Sequence, residues 1–157
     1  MIDLQNADGP RVLARLRALL DRRGIAYDVS EHEPVYTSEQ AARVRGTPME
    51  SGAKALVCKA GDDFHLFVMP ASMKLHTRAV RKTLGIQRLR FATREELLDL
   101  TGLTPGCVPP FGSLFGLPTR CDERLAEQPR INFNAGDHGV SIGMTFTDYA
   151  AVERPVL

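Results

Sequence analysis

The sequence has few cysteines and no long hydrophobic run. Its three cysteines, Cys58, Cys107 and Cys121, form an odd set without a CxxC pair, which argues against a disulfide framework or a zinc knuckle. Free thiols are typical of a reducing compartment. No apolar run approaches the roughly 20 residues that span a bilayer, and the N-terminus lacks a basic stretch followed by an apolar one. We therefore expect a cytoplasmic protein without a membrane partner.

The chain also lacks a large net charge and any compositional bias. Its 157 residues carry 20 basic and 19 acidic side chains, for a net charge of +1. Hydrophobic residues make up 43% and charged residues 25%, as in ordinary globular domains, so collagen-like, disordered and coiled-coil chains are excluded. The length is that of one domain, and we expect residues 1–157 to form a single domain.

Common catalytic signatures are missing as well. The four histidines, His32, His65, His76 and His138, show no HxxxH or HExxH spacing, so a zinc enzyme is not indicated. No GxSxG motif is present, which removes the usual serine hydrolase. Cys107 is a possible nucleophile, but no histidine lies near it in sequence, so a small apolar thiol in a loop is its simplest interpretation. We expect neither a metal nor another cofactor.

Charge is unevenly distributed despite the overall balance. No Asp or Glu occurs from Phe64 through Arg94. The same segment carries these cations: Lys74, Arg78, Arg81, Lys82, Arg88, Arg90 and Arg94. A one-sided positive patch attracts a phosphate backbone, although a solvated helix face would have the same composition.

Periodicity and end signals predict an α+β fold with a mixed sheet. Helices are expected from Pro10 to Gly24, from Thr37 to Gly46, over 75–84, from Thr93 to Gly102, and over 147–152 with Thr147 as the cap. Strands are expected over 25–29, 53–60, 64–69, 87–91, 117–121, 130–134 and 140–144. The spacings of Thr37 with Gln40 and of Thr93 with Glu96 each suggest a capping box.

Lys54 is unusual because it lies in an otherwise apolar strand. Lys54, Leu56 and Cys58 share one face, while Ala53, Ala55 and Val57 share the other. A lysine there keeps its charge if the ammonium reaches water or an anion. Two interpretations remain, a side chain that extends from the strand end to solvent and a phosphate-binding site.

Two loops are further candidates. The segment 104–112 holds Pro105, Pro109, Pro110, Gly106 and Gly112, a composition that fixes a backbone and presents N–H groups to a carbonyl. Many surface loops share that composition. In 134–139, Asp137 next to His138 suggests an acid–imidazole pair, but turn chemistry explains these residues better.

In this order, the features resemble the YbaK family of free-standing domains, which is related to the editing domain inserted in bacterial prolyl-tRNA synthetases. The matching parts are His32 to Thr37 before an Ala-rich helix, the strand with Lys54, the segment 101–112, and Asn134 to Gly136 before a closing strand and helix. The resemblance covers about 12–152. It implies a mixed, barrel-like β-sheet flanked by helices.

Members of this family hydrolyse the ester bond of wrongly aminoacylated tRNA. The resemblance implies that Lys54 pairs with a phosphate near the 3′ adenosine, and that Gly106, in a GxxxP pattern completed by Pro110, polarises the aminoacyl carbonyl. The adenosine 2′-hydroxyl would help to activate water, so the family needs no metal or protein nucleophile. Further expected substrate-binding residues are Tyr36, Thr37, Cys107, Val108, Pro109, Pro110, Gly112, Asn134, Gly136 and His138.

The sequence departs from the family pattern at two places. Some relatives have a His-Pro motif near the closing strands, where this chain has Asn134-Ala135-Gly136 and a later His138. Pro109 stands where several relatives have serine. The amino acid removed therefore stays open among alanine, cysteine, serine and other small residues, with tRNA for proline as the expected carrier.

The expected partner is the 3′ end of an aminoacyl-tRNA, and an aminoacyl-tRNA synthetase is an open second partner. Two other functions are consistent with the same residues. One is a non-catalytic tRNA-binding or synthetase-associated module that uses the acid-free segment. The other is a small-molecule ester or thioester hydrolase that uses the 104–112 loop. Steep salt dependence would distinguish a tRNA substrate from a small ester.

Overall fold

A computed structural model describes residues 8–157. Five α-helices occur in this range: α1 (Gly9–Arg22), α2 (Ser38–Arg45), α3 (Thr77–Leu84), α4 (Arg94–Thr101) and α5 (Phe146–Glu153). Seven strands accompany them: β1 (Asp28–Glu31), β2 (Ala53–Ala60), β3 (Asp63–Pro70), β4 (Leu89–Phe91), β5 (Thr119–Cys121), β6 (Arg130–Asn134) and β7 (Val140–Thr145). Short 3-10 turns lie at Met49–Ser51, Gly112–Phe115 and Glu123–Glu127.

The strands form two open sheets. One has the order β1-β7-β6 and is antiparallel throughout. The other has the order β4-β2-β3-β5, in which β3 and β5 run parallel. A parallel bridge between Gly52 and Asn132 connects the two sheets where β2 begins. The α+β class with a mixed sheet is confirmed, but the expected barrel-like closure is not found in residues 8–157, because the sheets meet at this bridge without forming one ladder.

Several predicted element ends are confirmed and others are corrected. Both Thr93 and Glu96 make the reciprocal bonds of a capping box. Thr37 caps α2, but the side chain of Gln40 accepts from the Tyr36 N–H instead of the Thr37 N–H, so the second box is not closed.

Several boundaries were predicted wrongly: α3 begins at Thr77 instead of 75, β4 at Leu89 instead of 87, and β5 at Thr119 instead of 117. The first strand begins at Asp28 instead of 25, since pairing with β7 begins there. Helix α5 is capped by Thr145 instead of Thr147, because β7 continues through Thr145 and its hydroxyl accepts from the Asp148 N–H at 3.1 Å.

The two faces of β2 are buried against different neighbours, as the alternation predicts. Ala53 and Val57 belong to the larger core, which also includes the buried stripe of α1 at Val12, Leu16 and Leu20. Cys58 lies in a smaller cluster, which packs against Leu56 and the apolar side of α3. Burial raises the pKa of Cys58 to about 12, so this thiol stays neutral and inert. Lys54 precedes the smaller cluster at the edge of the sheet.

One buried hydrogen bond couples α5 to the 104–112 loop and gives a stability prediction. Tyr149 is fully buried and donates to the Pro110 carbonyl at 2.7 Å. Tyr149→Phe leaves this carbonyl unsatisfied, and we expect urea denaturation to show a loss of about 1–3 kcal/mol in unfolding free energy. Tyr27→Phe is the matched control, because its hydroxyl bonds to Asp21 at an exposed site; an equal loss in both variants would contradict the prediction.

Candidate active site

A cavity of about 350 Å³ opens between α2, the start of β2, the 104–112 loop and the end of β6. The structure brings these predicted site residues into its lining: Tyr36, Thr37, Lys54, Gly106, Val108, Asn134 and His138. They come from four separate parts of the chain. No Asp or Glu lies among the lining residues, so the cavity favours an anionic guest.

The other predicted site residues lie behind the lining and support it. Cys107 is fully buried. Its carbonyl accepts from the Gly136 N–H at 2.8 Å, and a Cβ on Gly136 would meet the Gly9 carbonyl oxygen at 2.5 Å. Pro109 and Pro110 are buried, and Gly112 donates its N–H to the Thr119 hydroxyl at 2.9 Å. These residues fix the loop from inside the protein.

Lys54 presents an unpaired ammonium at the edge of the cavity. It is the second residue of β2 and faces Met69 across the hairpin. Its side chain makes no hydrogen bond or ion pair with residues 8–157. Partial burial, and then the charge of Lys74, lowers its pKa. An anion bound here would relieve both penalties, since it neutralises the ammonium and screens it from Lys74.

Gly106 has a backbone conformation that other residues rarely adopt. Its φ is +87°, and a Cβ at this position would lie 3.0 Å from His138 Nε2. The Gly106 N–H donates to no atom of residues 8–157. A donor without a partner in the lining of a cavity is available to a ligand carbonyl.

His138 fixes the peptide plane that carries this N–H. Its Nε2 lies 3.1 Å from the Pro105 carbonyl oxygen, and because a carbonyl can only accept, Nε2 is the donor. The peptide bond is trans, so the Gly106 N–H points away from the ring. Nδ1 is the acceptor in the neutral ring and lies 3.3 Å from the Cys107 sulfur. The ring also packs on Tyr36 at a centroid distance of 4.6 Å.

The turn interpretation of the Asp137–His138 pair is confirmed. The Asp137 carboxylate accepts from the Gly139 N–H at 2.7 Å, and its imidazole neighbour is directed instead at the 104–112 loop.

A polar network in the wall of the cavity was missed from sequence except for its member Asn134. Its centre is Arg45, the last residue of α2, whose guanidinium donates to Ser141, Asn132 and Asn134 at 2.7–2.8 Å. His32 joins it through a 2.7 Å contact with the Ser141 hydroxyl. One signal was available, because Arg45 follows the buried Ala41 by four residues and therefore shares its helix face.

Within residues 8–157, no group of three or more His, Cys, Asp or Glu side chains is arranged to hold a metal ion. Among the helices described, none has the length and apolarity to cross a membrane.

Comparison with known proteins identifies the family. A family profile described as an aminoacyl-tRNA editing domain matches residues 32–152. The chain belongs to this family. The match includes every predicted site residue, and the resemblance inferred from the sequence is confirmed.

Relatives of this editing domain include proteins that it matches over most of their length and a proline–tRNA ligase of Shouchella clausii, of which it covers 19% at 32% identity. The chain is 34% identical over 156 residues to the multifunctional Ser/Thr-tRNA deacylase ProXp-y of Escherichia coli K12, covering 96% of this chain and 93% of that protein. It is 26% identical to the prolyl-tRNA editing protein ProX of Acetoanaerobium sticklandii, covering 87% of each. A solved structure described as a candidate trans-editing enzyme for prolyl-tRNA synthetase superposes with a TM-score of 0.81 at 27% identity, covering 92% of each chain.

Proposed function

We propose that this chain, acting as one editing domain over residues 1–157, hydrolyses the ester bond between a wrongly attached small amino acid and the 3′ end of a tRNA. Family membership supports the reaction class. The observation that carries the proposal is the pairing, in one acid-free cavity, of an ammonium and a backbone N–H that both lack a partner among residues 8–157. An aminoacyl ester near a phosphate offers a partner to each of them.

In the proposed reaction Lys54 binds a phosphate near the terminal adenosine and so positions the ester. The Gly106 N–H donates to the ester carbonyl, and it stabilises the negative charge that forms when water attacks the carbonyl carbon. Collapse of the tetrahedral intermediate breaks the bond to the ribose oxygen, which takes up a proton. The products are a free amino acid and an uncharged tRNA. An activated ester needs little more than positioning and carbonyl polarisation.

The size of the cavity supports a small aminoacyl group. Parts of the terminal nucleotide and the amino acid share about 350 Å³. Thr37 accepts the Gln40 N–H at 3.1 Å, which leaves its own hydroxyl proton able to donate to a substrate. Binding alone separates side chains that differ by one methylene by about 1–3 kcal/mol, so steric exclusion by the rigid loop contributes to selectivity.

The decisive experiment is hydrolysis of a panel of mischarged tRNAs. Alanyl, cysteinyl and seryl esters on tRNA for proline come first. Seryl and threonyl esters on other tRNAs follow, because the Escherichia coli relative is named for Ser/Thr-tRNA. Accelerated loss of one or more esters over the buffer control is the expected result. Survival of every ester would reject the deacylase and favour the non-catalytic tRNA-binding module.

A second surface supports binding of the tRNA beyond its 3′ end. Lys59, Arg81, Arg88 and Arg90 line a wide groove that also includes one acid, Asp62. The groove begins about 17 Å from Lys54 along β2 at roughly 3.3 Å per residue. Arg90 is paired with Glu96 at 2.7 Å. Glu96 lies outside the acid-free segment and neutralises part of its positive charge. We propose that the remaining cations contact tRNA phosphates.

Neutralising two of these cations gives a prediction for tRNA affinity. The double variant Arg81→Gln/Arg88→Gln is expected to raise KM for the charged tRNA about tenfold at low salt with kcat unchanged. The slope of log KM against log salt should fall by about 0.9 for each duplex phosphate that the variant no longer neutralises. The control Arg17→Gln/Arg22→Gln makes the same charge change on α1. Equal effects of the two double variants would show that net charge, and not this groove, attracts the tRNA.

A further inference from the structure

Arg45 is a partly buried arginine whose guanidinium has no acidic partner in residues 8–157, which is an unusual arrangement. Burial lowers its pKa to about 10, and none of the ion pairs found in the described range includes it. A charge withdrawn from water without a counter-ion costs stability unless several hydrogen bonds compensate. Such a costly residue beside a cavity calls for a reason beyond packing.

The contacts of Arg45 tie α2 to two strands of the three-stranded sheet. Nε donates to Ser141 of β7 at 2.8 Å, while the two terminal nitrogens donate at 2.7 Å to Asn132 and Asn134 of β6, respectively. Each asparagine also donates a hydrogen bond to a different part of the chain. Asn132 donates to the Ser51 hydroxyl at 3.0 Å, just before β2 begins. Asn134 donates to the Gly106 carbonyl at 2.7 Å.

The orientation of the Asn134 amide follows from these neighbours. A guanidinium has no acceptor and a carbonyl has no donor, so the amide oxygen must face Arg45 and the amide nitrogen must face Gly106. The amide therefore accepts a hydrogen bond from the guanidinium and donates one to the loop. A charged donor on the oxygen also polarises the amide and strengthens its outgoing bond.

We propose that Arg45 is a positioning residue for ester hydrolysis: acting through Asn134, it holds the Gly106 carbonyl and thereby fixes the loop backbone that presents the Gly106 N–H. This inference rests on the proposed function. His138 holds one side of Gly106 through the Pro105 carbonyl, and Asn134 holds the other through the carbonyl of Gly106 itself. Both restraints are needed because glycine has wide freedom in φ and ψ.

The two asparagines provide a matched pair of variants that separates positioning from stability. Asn134→Ala and Asn132→Ala each remove one acceptor for Arg45 and one outgoing donor. Asn132 is 8% exposed and Asn134 is more exposed, so Asn132→Ala should lose more unfolding free energy in urea. Asn134→Ala should nevertheless lower kcat about tenfold with KM for tRNA within twofold, while Asn132→Ala should keep kcat within twofold.

Arg45→Lys tests the first link in the same connection. Lysine keeps the charge but cannot reach three separated acceptors with a planar fork, so kcat should fall about tenfold. Adding Asn134→Ala to this variant should cause no further loss, since both changes break one connection. If Arg45→Lys does not fold, the asparagine pair still decides the question.

Several results would overturn the proposal. These are an unchanged kcat in folded Asn134→Ala, an equal kcat loss in Asn132→Ala, additive losses in the double variant, or a change confined to KM with a reduced salt slope. The last result would mean that the guanidinium contacts tRNA directly. Amide hydrogen exchange gives a readout that does not depend on activity. The Cys107 N–H shares a peptide plane with the Gly106 carbonyl and donates to the Thr104 carbonyl at 3.1 Å, so this amide should exchange faster in Asn134→Ala than in Asn132→Ala. If wild type hydrolyses no ester, the proposed function fails, and exchange rates still test the positioning.

Discussion

Replacing Lys54 by alanine is expected to reduce kcat/KM for deacylation by about 100-fold while the protein stays folded. The ammonium has no partner in residues 8–157, so its removal breaks no hydrogen bond or ion pair within that range and relieves the repulsion from Lys74. Stability in urea should therefore be unchanged or slightly higher. A charge-assisted hydrogen bond to phosphate is worth about 1.5–3 kcal/mol, and misplacement of the ester adds to the loss.

Two further variants make this prediction specific. Lys59→Ala removes the same charge from the same strand, at a groove cation whose ammonium lies 5.9 Å from the centre of the Phe64 ring, so it should raise KM for tRNA only a few-fold and leave kcat unchanged. Lys54→Arg keeps the charge and should recover part of kcat/KM. Single-turnover hydrolysis of a charged tRNA at two salt concentrations measures all three. Normal turnover by folded Lys54→Ala would remove the anion site from the mechanism.

The sequence predicted the helices and strands better than it predicted whether the sheets close into a barrel. Alternation along β2, the hairpin to β3 and the Thr93–Glu96 capping box are local patterns, and all are found. Closure depends on strand lengths and on contacts between distant segments. β4 and β5 have three residues each, and the two sheets meet at one bridge. No local pattern carries that information, so the barrel-like closure was not confirmed.

The candidate site shows a similar division. Lys54 was visible because a charge interrupts an apolar strand, and Gly106 because prolines and glycines surround it. The proximity of Cys107 and His138, which are 31 residues apart, was not visible, since loop paths between them decide it. The role of Arg45 was not predicted, for another reason. An arginine at a helix end is usually solvated, and its partial burial depends on acceptors supplied 87–96 residues later.

Gly106 carries the other large expected effect, because its backbone conformation and its neighbour both exclude a side chain. Gly106→Ala must place a Cβ 3.0 Å from His138 Nε2 at a φ of +87°. The loop or the imidazole has to move, and either shift reorients the peptide plane that presents the N–H. Loss of one oxyanion donor typically costs about 10²–10³ in kcat. We expect a fall of about 100-fold in kcat, with a smaller change in KM for tRNA.

Backbone strain alone would also destabilise this variant. The control must therefore introduce the same strain at a position outside the cavity. Gly24→Ala does so, because Gly24 has a φ of +67° and open space around its Cβ position. Each variant should lose about 1–2 kcal/mol of unfolding free energy, but Gly24→Ala should keep its kcat. The ratio of rates for alanyl and seryl esters should change in Gly106→Ala, since the added methyl group alters the cavity wall. An unchanged kcat and an unchanged ratio in the folded variant would mean that the ester carbonyl binds elsewhere.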